Sequence, residues 1–140
     1  MNTEKIFEKL NQVIKNSSSK YYHYPVAAIL ECDDNSLWPG VNIETSSPQA
    51  GVCAERCAIF SAIANGYKKD NFKRIYLLNK TNDIITPCFI CRQALLDYCN
   101  QDLEIISYNI SGENEKYILK DLTPNSFGEE NLKWKVVMLV

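Results

Sequence analysis

The first segment of the chain carries its apolar residues at helical spacing. They recur three and four positions apart, as on the buried stripe of an amphipathic helix, so the pattern predicts a helix over residues 3–15. Thr3 is the expected N-cap, and the polar run at 16–20 ends the helix. The stripe consists of Ile6, Phe7, Leu10, Val13 and Ile14.

Short apolar runs between turn-forming residues predict strands. Residues 24–31 form one such run, and the Asp/Asn/Ser cluster at 33–36 turns the chain into a second strand over 37–43. Pro39 and Gly40 favour an edge or a bulge for that strand, because proline cannot donate to a central ladder. The same criteria predict further strands at 74–79, 103–108 and 116–119.

Two segments predict buried helices. Residues 53–64 are alanine-rich and apolar on nearly every face, and a helix there would end near Asn65-Gly66. A second helix is expected at about 91–99 and a proline-containing loop at 121–127. The alternation of strands and helices predicts an α/β fold, a single three-layer domain over residues 1–140. Its central mixed β-sheet would have about five strands and be flanked by helices.

Composition and charge narrow the class of ligand. The 140 residues are 46% hydrophobic and 23% charged, which is an ordinary globular composition. The net charge of -2 provides no basic field for a polynucleotide, so a small neutral ligand is favoured and a nucleic-acid partner is not. No apolar run approaches the roughly 20 residues that span a bilayer, so no membrane partner is expected either.

The start of the chain and its cysteines predict a cytoplasmic location and metal chemistry. The first residues are polar and amphipathic, unlike the basic and then apolar segments of a signal peptide. In a reducing cytosol the six cysteines favour metal ligation or buried free thiols over disulfides.

Two short motifs carry the candidate chemistry, each at a point where a loop enters a helix. One holds Cys53 and Glu55, and the other is a Pro-Cys-x-x-Cys run with Cys88 and Cys91. Three thiolates can hold one zinc ion. Since no fourth protein ligand is evident, the pattern predicts a catalytic zinc site that leaves one position for water.

A site of this kind needs further groups that offset the negative charge of the thiolates and that transfer protons. Three thiolates around Zn²⁺ leave a net negative charge, which opposes deprotonation of a bound water. Helix dipoles offset this, and Arg56 and Arg92 each follow a ligand and are candidates to donate to the sulfurs; we expect at least Arg56 to do so. Glu55, close to the zinc but outside its ligand shell, is the candidate proton shuttle.

The combined motifs resemble a known family. Cys-x-Glu with a downstream Pro-Cys-x-x-Cys is the general signature of zinc-dependent nucleobase deaminases. Further stretches make the chain closely similar to the cytidine deaminase family over roughly residues 22–132. The resembling stretches are residues 24–28, 41–44, 51–56, 87–93 and 124–130.

The resemblance implies an activity, a cofactor and an assembly. The activity is hydrolytic deamination of cytidine and deoxycytidine to uridine and deoxyuridine in pyrimidine salvage. The cofactor is one Zn²⁺ per subunit on Cys53, Cys88 and Cys91. The implied assembly is a homo-oligomer, commonly a tetramer in this family.

The resemblance also implies roles for individual residues. Asn42 and Glu44 would bind the ribose hydroxyls, and Ala54 would contact the cytosine ring through its backbone. Tyr24 stands where the family usually has a phenylalanine against the base, and Phe127 would reach the active site of a neighbouring subunit. Glu55 would also hold a ring nitrogen.

Departures from the family pattern leave other substrates open. The loop at 45–49 lacks the usual Tyr-Pro, and Phe89 and Ile90 replace a usual pair of small residues. These changes suggest a related deaminase that acts on another substrate, such as blasticidin S. The presence of Asn42, Glu44 and Phe127 argues against that alternative. Base editing within RNA is disfavoured by the acidic charge balance.

Other readings of the cysteines and of the single histidine are weaker. A structural zinc module would need a fourth ligand, for which Cys57 is the rival candidate one helical turn from Cys53, although core packing is preferred for it. A redox role for the Cys-x-x-Cys pair lacks a thioredoxin-like context. Cys32 and Cys99 are expected to be core or surface thiols, and His23 a packing residue. The apolar stretch at 134–140 is either an extra strand or a partner surface.

Overall fold

A five-stranded mixed β-sheet runs through the part of the chain that the computed structural model describes, residues 2–132. The apolar stretch at 134–140 lies outside the described residues. The strands lie side by side in the order β2-β1-β3-β4-β5. Their bounds are Val26–Cys32 (β1), Leu37–Val41 (β2), Phe72–Asn79 (β3), Glu104–Tyr108 (β4) and Asn114–Ile118 (β5).

The sheet is mixed because one connection crosses over a helix. β3 and β4 pair in parallel, whereas β1 is antiparallel to both β2 and β3, and β5 is antiparallel to β4. Parallel neighbours need a long crossover, which the helix Phe89–Tyr98 supplies here. The pairing also brings the start of β1 to the same end of the sheet as the ends of β2 and β3.

Helices cover both faces of the sheet. Alternate residues of β1 point to opposite faces, so Ala27 and Ile29 pack against the first helix while Ala28 and Leu30 pack on the side of the second. The three-layer α/β prediction is therefore confirmed for the described residues. The helices are α1 (Thr3–Val13), α2 (Ala54–Ala64), α3 (Phe89–Tyr98) and the short α4 (Leu119–Leu122). None of the helices in residues 2–132 combines the length and apolarity that crossing a membrane requires.

Gly40 lets α2 lie directly on β2. A Cβ atom at this position would lie 2.5 Å from the backbone nitrogen of Ala58 and closer still to the carbonyl oxygen of Ala54. Both atoms belong to the backbone of α2, so they cannot swing aside as a side chain could. The glycine predicted to disturb the strand therefore serves a close strand–helix contact.

Several predicted element bounds differ from the structure. Asn2, not Thr3, caps α1, because its side chain accepts the Lys5 backbone N–H at 2.9 Å. The predicted strand at 116–119 is observed at Asn114–Ile118, and the loop predicted at 121–127 begins inside α4. Leu119, the first residue of α4, is fully buried in the core.

Candidate active site

The sulfurs of Cys53, Cys88 and Cys91 lie together, all within 4.8 Å of one another. The Cys53 and Cys88 sulfurs are 3.8 Å apart. Tetrahedral zinc with Zn–S bonds of about 2.3 Å places two sulfurs about 3.8 Å apart, so the donor set fits this metal. Within the described residues no further His, Cys, Asp or Glu joins the cluster.

Two helix N-termini bring these sulfurs together. Cys53 is the N-cap of α2 and Cys88 is the N-cap of α3. Cys91 lies in the first turn of α3 and is fully buried, whereas Cys88 is exposed. The positive ends of two helix dipoles therefore face the sulfurs, which favours their thiolate form, and one side of the cluster faces solvent.

Cys57 is not part of the cluster. Its side chain lies outside the group of three sulfurs, although it is one helical turn beyond Cys53. Cys57 is only partly buried, so it packs into the core less completely than predicted. Cys32 and Cys99 are fully buried thiols. The described residues thus hold three sulfur donors and leave room for water at a fourth position.

Arg56 donates a hydrogen bond from its Nη2 to Cys53 Sγ at 3.6 Å. Hydrogen bonds from the Cys91 thiol and from Arg56 lower the pKa of Cys53 to about 5. The guanidinium is therefore placed where it offsets thiolate charge.

Arg92 does not donate to a sulfur, which corrects the expectation from its sequence position. Its Nε donates to the Pro87 carbonyl at 2.7 Å, and its two Nη atoms donate to Thr86 Oγ1 and the Leu122 carbonyl. The side chain points back toward the start of α3, as helical side chains do. Arg92 therefore stabilises the loop that carries Cys88 and donates no hydrogen bond to a sulfur.

Glu55 lies in the first turn of α2, two residues beyond a ligand, with only 5% of its surface exposed. Burial raises the pKa of Glu55 to about 7, and the neighbouring Cys53 adds to the effect. A carboxyl group with this pKa can both accept and release a proton near neutrality, as a general acid–base requires.

A cleft of about 190 Å³ opens beside Cys53. Asn42 and Glu44 line it together with Cys53 and Arg56, so residues expected to bind sugar and metal share one cavity. The walls also include Tyr22, Ile43, Thr45, Pro48, Gly51 and Val52. Tyr22 was missed from the sequence, because the segment before β1 carries no periodic signal.

Asn42 is already held by the protein. Its Oδ1 accepts from the Val26 backbone N–H at 2.9 Å and from Ser17 Oγ, and its Nδ2 donates to the Tyr24 carbonyl at 2.8 Å. Ser17 is a second residue that sequence reasoning missed. Asn42 therefore ties the approach to β1 to the end of β2 and has only one amide hydrogen left for a ligand.

Glu44 is oriented through one carboxylate oxygen. Its Oε1 accepts the backbone N–H groups of Tyr21 and Tyr22 at 2.9 and 3.0 Å. No donor in residues 2–132 reaches its Oε2. One acceptor oxygen of a fixed carboxylate is thus left for a hydroxyl in the cleft.

The remaining candidates occupy different surroundings. Ala54 is fully buried at the start of α2, and Tyr24 is 38% exposed just before β1. Phe127 is 59% exposed and lines a separate surface groove with Phe89, so this structure does not bring it to the sulfur cluster of its own chain. His23, expected to pack, is exposed and has a positive φ of 55°.

The sequence matches a known family across this whole site. A family model described as the cytidine and deoxycytidylate deaminase zinc-binding region covers residues 1–107. The chain belongs to this family. The three-sulfur cluster fits the zinc-binding region of this family, with one zinc per subunit.

Relatives and solved structures are similar to most of this chain. A cytidine deaminase from Sporosarcina psychrophila is 30% identical over 134 residues, covering 96% of this chain and 97% of that protein. The crystal structure of cytidine deaminase from Burkholderia pseudomallei has a TM-score of 0.86 and 31% identity, covering 91% of this chain and 100% of that one. A blasticidin-S deaminase from Bacillus cereus is 28% identical over 71% of this chain and 74% of its own length.

Proposed function

We propose that this protein hydrolytically deaminates cytidine and deoxycytidine to uridine and deoxyuridine, and that it serves pyrimidine salvage in the cytoplasm as one domain over residues 1–140. The observation that carries the proposal is the three-sulfur cluster with a fourth position open to solvent and the buried carboxyl of Glu55 next to a ligand. Family relatives named cytidine deaminase supply the substrate class.

The chain's own residues divide the chemistry between them. Zinc held by the three sulfurs would lower the pKa of water and so make hydroxide available near neutral pH. Glu55 takes one proton from that water and passes it to the ring nitrogen, while the water oxygen bonds to the ring carbon that bears the amino group. Glu55 then takes the remaining hydroxyl proton and passes it to the amino group, which leaves as ammonia. Arg56 offsets the negative charge of the sulfurs through its bond to Cys53.

Two of the proposed substrate contacts line the cleft beside Cys53. Asn42 and Glu44 face the cavity and hold the ribose hydroxyls, and the buried start of α2 presents the backbone of Ala54 to the base. Tyr24 packs on the ring. Phe127 belongs to the site of a neighbouring subunit, since its exposed ring lies on a groove away from its own cleft.

Replacing Glu55 tests the mechanism directly. The variant Glu55→Ala removes the proton carrier and leaves all sulfur ligands, so we expect cytidine turnover to fall by about 10²–10⁴ while one zinc per subunit is retained. The loss of absorbance on deamination measures turnover, and metal analysis measures zinc. Glu8→Ala on the exposed face of α1 is the matched control. Undiminished turnover by Glu55→Ala with bound zinc would exclude the mechanism.

We also propose that the protein is a homo-oligomer, with a tetramer as the expected form. Several large apolar side chains on α2 and α3 are exposed in the single chain, among them Phe89 at 77% and Ile90 at 66%. A continuous apolar surface of this kind commonly marks a protein interface. Phe60 and Tyr98 extend the same surface, with ring centroids 6.4 Å apart.

A second candidate substrate is blasticidin S. The relative of that name and the presence of Pro48 in the cleft wall favour it over other deaminase substrates. A substrate panel decides between the two by kcat/KM. The cytidine proposal predicts the larger value for cytidine and deoxycytidine, and a larger value for blasticidin S would replace it.

A further inference from the structure

Asn79 is a buried amide whose hydrogen bonds join three segments at the active-site end of the sheet. It is the last residue of β3 and is fully buried. Its Oδ1 accepts from the Thr81 backbone N–H at 2.8 Å, from Thr81 Oγ1 at 2.5 Å and from the Tyr24 hydroxyl at 3.3 Å. Its Nδ2 donates to the Asp83 carbonyl at 2.9 Å.

These bonds connect elements that carry the proposed site. Asn79 pairs with Val26 across the β1–β3 ladder, so Tyr24 lies two residues from its register partner. The Thr81 and Asp83 bonds shape the turn after β3, from which the chain continues to Cys88. A single immobile side chain therefore contacts both the residue expected against the base and the loop that leads to a zinc ligand.

The Tyr24 hydroxyl makes this connection. The Tyr24 side chain is 38% exposed, so packing against the rest of the protein restrains only part of its ring. Its backbone is fixed at the other end, where its carbonyl accepts from Asn42 at 2.8 Å. A bond from the hydroxyl to a buried acceptor restricts the ring, and phenylalanine, the usual residue here in the family that the sequence resembles, has no group to make it.

We propose that Asn79 is a positioning residue that holds the ring of Tyr24 ready to pack on the pyrimidine base. The inference rests on the proposed function, because it needs a base to be bound beside Tyr24. A pre-oriented ring loses less freedom when the substrate binds, so its effect falls on substrate affinity and not on the chemical step. The expected signature is a change of KM at constant kcat.

The test is a double-mutant cycle with Tyr24→Phe and Asn79→Ala, assayed on zinc-loaded protein. Tyr24→Phe removes only the hydroxyl, and we expect KM for cytidine to rise about three- to tenfold with kcat within about twofold of the original. Asn79→Ala should raise KM at least as much. The double variant should have a KM no higher than that of Asn79→Ala alone, because both substitutions remove the same hydrogen bond between Tyr24 and Asn79.

Tyr117→Phe is the matched control. It removes a tyrosine hydroxyl that also makes a hydrogen bond, to Glu115 Oε2 at 2.7 Å, but on strand β5 at an edge of the sheet. We expect its KM, kcat and melting temperature to match those of the unmodified protein.

The outcomes separate this inference from the proposed function. If the unmodified zinc protein does not turn over cytidine, the proposed function fails whatever the variants do. If it does and Tyr24→Phe keeps the original KM, the inference fails alone. It also fails if the two KM effects multiply in the double variant, or if Tyr24→Phe lowers kcat and the melting temperature together, which would indicate a purely structural bond.

Discussion

At the scale of single residues, Glu31 shows how the sheet tolerates a buried carboxylate. Its side chain is 4% exposed within β1 and accepts the Tyr76 hydroxyl at 2.7 Å and Arg74 Nη1 at 3.2 Å. Burial raises the pKa of Glu31, but the hydrogen bonds from Tyr76 and Arg74 outweigh that effect and leave the pKa below its usual value. The charged form is therefore the one that the fold stabilises.

The pH dependence of unfolding tests this balance. Because the pKa of Glu31 is lower in the folded protein than in the unfolded chain, its contribution is present above the unfolded value of 4.5 and is lost as pH falls through the folded value. We expect Glu31→Gln to reduce the free energy of unfolding by about 1–3 kcal/mol at pH 7 and by less at pH 3.5. Urea unfolding at both pH values measures this, with the exposed Glu8→Gln as control. An equal loss at both pH values would contradict it.

At the scale of elements, the zinc site depends on how two helices begin. Cys53 and Cys88 are the N-caps of α2 and α3, and neither cysteine side chain accepts a hydrogen bond from the backbone N–H groups of its helix. The loop before α3 is instead secured by Arg92, and the approach of α2 to β2 by Gly40. The positions of the sulfurs therefore depend on contacts made outside the ligand shell.

Loosening the loop before α3 should weaken metal binding. Arg92→Lys loses the fork that bonds the Pro87 carbonyl and Thr86 hydroxyl together, so we expect zinc affinity to fall about 10–100-fold. Competition with a chromophoric chelator measures it. Lys73→Gln, an exposed change on β3, should leave the affinity unaltered, and an unaltered affinity in Arg92→Lys would refute this role.

A methyl group at Gly40 should separate α2 from β2. The added Cβ would overlap backbone atoms of Ala54 and Ala58, so we expect Gly40→Ala to lower the free energy of unfolding by about 1–3 kcal/mol. Urea titration measures the change. Gly128→Ala is the control, because a Cβ there would meet only the flexible end of the Glu130 side chain. A stable Gly40→Ala protein would show that the helix can shift freely.

At the scale of the whole molecule, α2 and α3 expose a large apolar surface in the single chain. In the proposed oligomer this surface would be covered by another copy, and the same contact would bring Phe127 toward a neighbouring site. Closed symmetric association buries such a surface once in each subunit, which avoids open-ended growth.

A charge on this surface should dissociate the oligomer. We expect Ile90→Asp to sediment as a smaller species than the unmodified protein and to lose cytidine turnover, since an unpaired carboxylate at an apolar contact disfavours association. Ile110→Asp changes an exposed isoleucine in the loop after β4, outside this surface, and should leave the sedimentation unchanged. Unchanged sedimentation of Ile90→Asp would place the interface elsewhere.

The sequence by itself determined the metal chemistry and most of the elements. Cys53, Glu55 and the Pro-Cys-x-x-Cys run lie within short segments of the chain. Cysteines at such spacings are typical zinc ligands, so these segments alone indicate the metal and its chemistry. Helix α1 followed from its periodicity, and α2 and most strands followed from short apolar runs and the turn-forming residues that flank them, which are also local properties. Some predicted bounds were wrong, among them the cap at Thr3, the strand at 116–119 and the loop at 121–127, and these lie beside the capping side chain of Asn2 or the buried Leu119.

Only the tertiary structure decided which groups each side chain contacts. The bonds of Arg92 to Leu122 and of Tyr24 to Asn79 join positions 30 and 55 residues apart, and the two oxygens of Glu44 are distinguished by a loop more than 20 residues earlier. Such contacts depend on strand pairing and helix packing, which act over distances that local spacing does not encode. For the same reason only the fold separated Cys57 from the sulfur cluster and placed Phe127 away from its own cleft.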